Sequence, residues 1–266
     1  MKAVWDQIGE RLYETGVAEG MLYLEENGLY PKGVPWNGLT SIEENPSGGE
    51  PTKIYANNGA YLTLLSPEEY KATVKAYMYP DEFSKCDGSV DIAPGVTIGQ
   101  QTREPFGLAY KTIIGNDIEG NKHGYKIHLL YNSQVSPSAK THETVNNDPN
   151  VEEFSWELNS TPVSVSGLGE VTSTSTIEID STKVGAAALK KIEDIIYGTD
   201  PTLTDSEPAS WSSAYKNYYK RVNGRFVSLA NEKSAPTWAA KTFYGGGTDP
   251  RLPLPDEIIE LMKSVV

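Results

Sequence analysis

The sequence is poor in cysteine, in basic residues, in histidine and in long apolar runs. Cys86 is the single cysteine among 266 residues, so no intrachain disulfide can form, and synthesis in a reducing cytoplasm fits. Asp and Glu outnumber Lys and Arg 36 to 23, giving a net charge of −13. Without clustered cations, ordinary binding to nucleic-acid phosphates or anionic membranes is disfavoured. No run approaches the roughly 20 apolar residues of a membrane-spanning helix. The opening "MKAVWDQ" has no apolar core of the kind a signal peptide needs, so none is expected. The spacing of His123, His128 and His142 is not that of a zinc site, and ordinary hydrogen-bonded or solvated imidazoles are expected.

What is abundant points to strands. The 24 Gly, 17 Pro and 16 Tyr suit a β-rich chain with many turns. Residues 1–20 are polar with scattered apolar positions and read as an arm, and Met21 to Leu24 starts a strand. Ser66-Pro67-Glu68-Glu69 carries a cap and a proline at the first helical position, which predicts one helical turn at most. Beyond it Tyr70, Ala72, Val74, Ala76 and Met78 fall on one face at period two, with Lys71, Thr73, Lys75, Tyr77 and Tyr79 on the other. That is a strand with both faces in use, stopped by Pro80. Cys86-Asp87-Gly88 reads as a turn. Phe106 to Ile114 and Tyr125 to Tyr131 alternate on either side of a polar connector, Gly115 to Gly124, which predicts an antiparallel hairpin with a long tip. After a polar loop at 133–151, further strands are expected around Trp156, at Val163–Val165 and at Ile177–Ile179.

The stretch from Gly33 to Ala56 is expected to be strand, break, strand. The break is Glu43, Glu44, Asn45, Pro46, Ser47, Gly48, Gly49, Glu50, Pro51 and Thr52, twice the length a hairpin needs. An acidic loop of that size invites a role as a lid, a ligand clamp or an assembly arm.

The clearest helix is "STKVGAAALKKIEDIIYG". Ser181 is its candidate cap, Val184, Ala188, Ile192, Ile195 and Ile196 form one apolar stripe, and Gly198 is placed to end it. A second short helix is expected from Pro255, with Asp256 and Glu257 suiting the dipole of its first turn. Between them, residues 199–249 read as an inserted small β module rich in aromatics, with Asn223-Gly224 as a two-residue hairpin signal. Trp211, Tyr218, Tyr219 and Trp238 are its candidate surface aromatics, able to stack on sugar rings or to fill its own core.

No catalytic constellation emerges. Asp117-x-Glu119-x-Asn121 fails as a calcium loop, because its sixth position is Lys122 and its twelfth is His128, and a polar hairpin tip is expected. Gly167-Leu168-Gly169 lacks the third glycine of a dinucleotide fingerprint, Thr172 standing there instead. Cys86 has no histidine near it in sequence. The glutamate pairs at 43–44, 68–69 and 152–153 point to opposite faces of a strand and do not form a glycosidase pair. No cofactor, no metal site and no enzymatic activity are expected.

Six stretches, in order, resemble the major tail proteins of long, non-contractile-tailed bacteriophages: "PKGVPWNGLTSIEENPSGGEPTKIYA", "ATVKAYMYPDEF", "DIAPGVTIGQQTREPFGLAYKT", "GYKIHLLYNSQVSPSAK", "EFSWELNSTPVSV" and "LPLPDEIIELM". The resemblance spans roughly residues 2–198 and 250–262 and leaves the insert outside. It implies a mainly β fold, a tail-tube-like β-sandwich or barrel with a flanking helix at about 184–197 and a short C-terminal helix. On this reading residues 1–198 and 250–266 make the tube domain. It also implies a virion protein of the tail tube, with copies of the chain forming stacked rings of six. The rings enclose the tape-measure protein, meet other tail proteins at the ends, and pass DNA without sequence-specific binding. An acidic balance suits a passage that must not trap DNA, and residues 43–52 become a candidate subunit-interface loop. A different reading is a carbohydrate-binding β-sandwich contacting a host surface glycan through the insert, and a polysaccharide hydrolase is a third.

Overall fold

A computed structural model describes residues 3–142, 144, 151–166, 172–199, 202–203, 219–222, 225–228, 244–245 and 248–264. The fold is mainly β. The strands are β1 (Tyr13–Leu24), β2 (Gly33–Trp36), β3 (Leu39–Glu44), β4 (Ser47–Gly48), β5 (Pro51–Ala56), β6 (Gly59–Leu65), β7 (Glu68–Ala76), β8 (Val90–Ala93), β9 (Val96–Ile98), β10 (Phe106–Asn116), β11 (Gly120–Val135), β12 (Phe154–Ser160), β13 (Val163–Val165), β14 (Thr172–Thr174) and β15 (Thr176–Asp180). Helix α1 (Ala186–Ile196) follows, then β16 (Thr202–Leu203), β17 (Tyr219–Val222), β18 (Arg225–Ser228), β19 (Tyr244–Gly245) and helix α2 (Pro255–Lys263).

The main sheet runs β2-β1-β10-β11-β12-β7-β3, with β15 added against β11 and β4 against β7. Strands β2 and β3 are separated in sequence by Asn37 and Gly38 alone, yet lie at opposite ends of this path. The sheet therefore curls back on itself. Gly20 of β1 leaves room for Leu39 of β3, since a Cβ there would lie 2.2 Å from Leu39 Cδ1. The curl encloses a first core of Leu22, Trp36, Val74, Phe83, Phe106, Leu108, Leu130, Trp156 and Leu158. Its centre is aromatic: the Trp36 ring lies 4.5 Å from that of Phe83 and 5.7 Å from that of Trp156, separations at which ring pairs add to simple area burial.

The opposite face of the same strands is also buried. Met21, Tyr23, Ala109, Ile127, Leu129 and Tyr131 join Ile179 of β15, Leu189, Ile192 and Ile196 of α1, and Leu252 and Ile258 in a second core. Period-two alternation puts one apolar set on each face, and an amphipathic helix covers the outer one. Strand β11 serves both layers. Its Lys126–Leu130 segment pairs with β15, and its Ser133–Val135 segment pairs with β12. The switch falls at Asn132, whose φ of 45° is left-handed, a conformation asparagine tolerates better than most side chains.

Several boundaries differ from the sequence reading. The arm is shorter than twenty residues, because β1 begins at Tyr13. Residues 13–19 are largely exposed, and β-bulges between Thr15 and Met21 erase the alternation that would have revealed the strand. No helical turn precedes β7; Glu68 and Glu69 are already paired to Gly48 and Ser47. The predicted hairpin of β10 and β11 is present, but its tip is short, residues 117–119, because the polar connector continues both strands. Ser181 does not cap α1. Its Oγ accepts the Tyr125 N–H at 2.9 Å, while Lys183 and Val184 donate to the Asp180 carbonyl, so residues 181–184 form a turn and the helix starts after Gly185. Gly198 ends it as expected, at φ +73°. Helix α2 starts at Pro255 with Asp256 and Glu257 in its first turn.

The segment 200–247 leaves and returns at one point. Thr199 and Thr248 exchange backbone hydrogen bonds at 3.0 and 3.2 Å, and β16 pairs with β19 just beyond. Strands β17 and β18 pair with Val222 opposite Arg225, the register expected of a two-residue turn at 223–224, which lies outside the described residues. Among the described residues, no helix is long and apolar enough to cross a membrane.

Candidate assembly surface

The ten residues 43–52 are not one loop. Glu43 and Glu44 are the last residues of β3, opposite Thr73 and Ala72 of β7. The ladder runs on, with Asn45 N–H donating to the Lys71 carbonyl at 2.7 Å. Pro46 follows, exposed. Ser47 and Gly48 are β4, Gly49 and Glu50 turn the chain, and Pro51 and Thr52 pair with Leu65 and Leu64 at the start of β5. The period-two signal was hidden by Pro46, by the glycines and by the absence of apolar side chains on exposed pairs.

What reaches outward is the hairpin that follows. Strands β5 and β6 form a two-stranded ribbon turned by Asn57 and Asn58 at φ 50° and 62°, the doubly left-handed geometry of a hairpin turn. Every residue of both strands is exposed. Even so it carries Ile54, Tyr55, Tyr61, Leu62, Leu64 and Leu65, with Tyr61 71% and Leu65 73% accessible. The sequence signal was available in Asn57-Asn58-Gly59 between two strand-like runs. A second ribbon, β8 and β9, has the same character: Val90 lies opposite Ile98, and both are exposed, as are Ile92 and Val96. A third apolar patch lies at the end of the long hairpin. Gly9 N–H donates to Asp117 Oδ1 at 2.9 Å and Tyr13 Oη to Asn121 Oδ1 at 2.8 Å, which ties residues 9–13 to the tip, while Trp5, Ile8, Leu12 and Ile118 stay exposed. An isolated two-stranded ribbon is marginal in water, and monomeric soluble proteins rarely expose large contiguous apolar patches.

At the end of β3, which leads through β4 to the β5–β6 ribbon (hereafter the arm), a polar network interrupts the first core. Tyr110 Oη donates to Glu44 Oε1 at 2.6 Å, and the Tyr110 ring stacks on His128 with centroids 4.6 Å apart. Burial, then the Glu44 carboxylate, pushes the Tyr110 phenol far up. Thr112 Oγ1 donates to Glu14 Oε1 at 2.5 Å and contacts His128 Nε2 at 2.9 Å. Burial raises the Glu14 carboxyl, but Lys126 at 2.8 Å and Thr112 together outweigh it and hold it below the usual range. On the outer face Lys111 bridges Glu19 and Glu193 at 2.7 and 3.1 Å, packed over the rings of Tyr125 and Tyr197.

The other residues singled out in the sequence fall apart spatially. His123 pairs with Glu119 and His142 with Glu152. Cys86 is fully buried in the first core. Among the described residues no group of three or more His, Cys, Asp or Glu is arranged to hold a metal ion. Gly167-Leu168-Gly169, Trp211, Tyr218 and Trp238 lie outside the described residues, and Tyr219 is described only as backbone of β17.

No protein-family model matches the chain, and no curated protein matches it. Among solved structures, a chain of the sheath–tube complex of an extracellular contractile injection system, PVC, in the extended state is similar over 61% of this chain and 88% of its own, at 11% identity and a TM-score of 0.33.

Proposed function

We propose that this chain is a structural subunit of a phage tail tube and not an enzyme. The observation that carries the reading is the β5–β6 ribbon, fully exposed yet bearing six large apolar side chains. A surface of that kind is stable in water when a second molecule covers it. The ordered resemblance of six stretches to tail tube proteins favours another copy of the chain as that second molecule. On this reading copies close into rings, six to a ring, which removes exposed sheet edges by pairing them. Rings stack through the arms into a tube around the tape-measure protein, with other tail proteins at its ends. The net charge of −13 keeps the passing DNA from adhering to the wall.

Electron microscopy of the purified protein, with sedimentation to measure its mass, tests this. Rings or tubes with a central channel are expected. A protein that stays monomeric at high concentration, with no density for it in a tail shaft, overturns the proposal.

A further inference from the structure

The inner face of the β10–β11 hairpin changes character along its length. Leu108 and Leu130 lie opposite each other in the first core. One step outward, Tyr110 faces His128, and one step further Thr112 faces Lys126. His128 thus stands at the border of the core, its side chain 12% exposed.

Its two ring nitrogens face different carboxylates. Nε2 lies 2.9 Å from Thr112 Oγ1 and 3.5 Å from Glu14 Oε1. Nδ1 lies 3.8 Å from Glu44 Oε1. The proton of Thr112 is committed to Glu14, so the Thr112 oxygen is an acceptor toward the imidazole. A neutral His128 therefore carries its proton on Nε2 and turns the bare lone pair of Nδ1 toward the Glu44 carboxylate, a repulsive arrangement. Adding a proton places an N–H on Nδ1 and makes the same contact attractive.

Glu44, its side chain 43% exposed, has an uncharged donor in Tyr110 at 2.6 Å and a basic neighbour in His128. The groups facing the site are Glu14 of β1, Glu44 of β3, Tyr70 of β7, Tyr110 and Thr112 of β10, Lys126 of β11, and Glu178 of β15, which lies directly opposite His128. Lys126 is occupied by Glu14 and Glu178 at 2.8 and 3.1 Å. Tyr70 and Tyr110 act on Glu44 only as neutral phenols. Among the described residues no lysine or arginine pairs with Glu44, and His128 is its charge partner.

We propose that protonation of His128 clamps the end of β3 to the central hairpin, so that the root of the β5–β6 arm is held more tightly in mild acid than in mild base. Glu44 is the last residue of β3, and β4 and the arm hang from it. The clamp stands on the geometry alone. Its consequence for ring stacking rests on the arm being a subunit contact.

Hydrogen exchange read by mass spectrometry on unassembled full-length protein tests the clamp, at about pH 5.5 and about pH 8, with rates corrected for the intrinsic effect of pH. Protection of residues 39–48 is expected to be roughly five-fold greater at the lower pH, the size of one partly exposed ion pair. His128→Gln and Glu44→Gln remove this difference, and His142→Gln keeps it. An equal difference in His128→Gln, or none in the unaltered protein, overturns the proposal. Should the variants fail to fold, nitrogen NMR of the unaltered protein decides. The Nε2–H tautomer of His128 at about pH 8 supports the clamp, and the Nδ1–H tautomer overturns it. Because these readings use single subunits, a chain that never forms rings can still pass, and one that forms them can still fail.

Discussion

The hydroxyl of Tyr23 donates to the carbonyl of Ile196 at 2.7 Å, across 173 residues of chain. Tyr23 is fully buried in the second core, and Ile196 is the last residue of α1. The bond satisfies a helix-end carbonyl that has no partner within the helix. Tyr131 does the same for the C-terminal segment, donating to the Pro253 carbonyl at 2.9 Å. Tyr23→Phe and Tyr131→Phe each leave a buried carbonyl unpaired and should cost about 1–2 kcal/mol. Urea unfolding curves check this, with a lower midpoint and an unchanged slope.

The arm is separable from the body. Replacing residues 50–66 by Gly-Gly leaves the β3–β7 and β4–β7 ladders intact and should shift the thermal midpoint by no more than about 2 °C. The same variant should no longer form rings or tubes in sedimentation. Deleting 43–52 is different. It removes the end of β3 and the acceptor of the Tyr110 hydroxyl, so the body itself should lose stability.

Asp180 ties the end of β15 to the turn before α1. Burial raises its carboxyl, but hydrogen bonds from the Thr182 hydroxyl and backbone and from Lys183 outweigh burial and hold it at about 2. A depressed carboxyl contributes stability above its unfolded value, near ~4, and loses it as pH falls toward the folded one. Asp180→Asn should therefore unfold more easily than the unaltered chain at neutral pH, and the gap between the two urea midpoints should close between about pH 4 and pH 2. A gap that stays constant over that window would argue against the assignment.

Cys86 should be silent in the folded protein. Burial, followed by the Glu104 charge, pushes its thiol up to about 12. A neutral, inaccessible thiol does not react. A thiol-specific dye at about pH 8 should label the protein only as fast as it unfolds, and the rate should follow the urea unfolding curve. Full labelling of the native protein within minutes is the outcome that would contradict this.

The sequence revealed those elements whose side chains face a core. Val74, Trp156, Leu129 and Ile192 lie in clean periodic patterns because burial selects them. The strands around Ser47 and Thr52 were illegible because backbone pairing alone holds them, and exposed pairs put no constraint on residue type. The first half of β1 was lost for a related reason, since its bulges shift the register that alternation depends on. Ser181 shows the converse. A good capping residue stood in a plausible place, but the Tyr125 amide, 56 residues away in sequence, claimed its oxygen, and no local pattern announces such a partner. The polar network of Glu14, Thr112, His128 and Glu44 joins four segments of chain, which left no trace in spacing.

The curl of the main sheet has a consequence for how the chain comes to be folded. Strand β1 lies between β2, its near neighbour in sequence, and β10, where Leu22 meets Leu108. At a synthesis rate of about 5–20 residues per second, β1 waits on the order of 4–20 s for that partner to exist. During this time its apolar residues Met21 to Leu24 have the short β2 strand beside them, and Pro35 removes one backbone donor from that ribbon's outer edge. The ribbon is thus blunted on one side while it waits, and the side left open is the one β10 later takes.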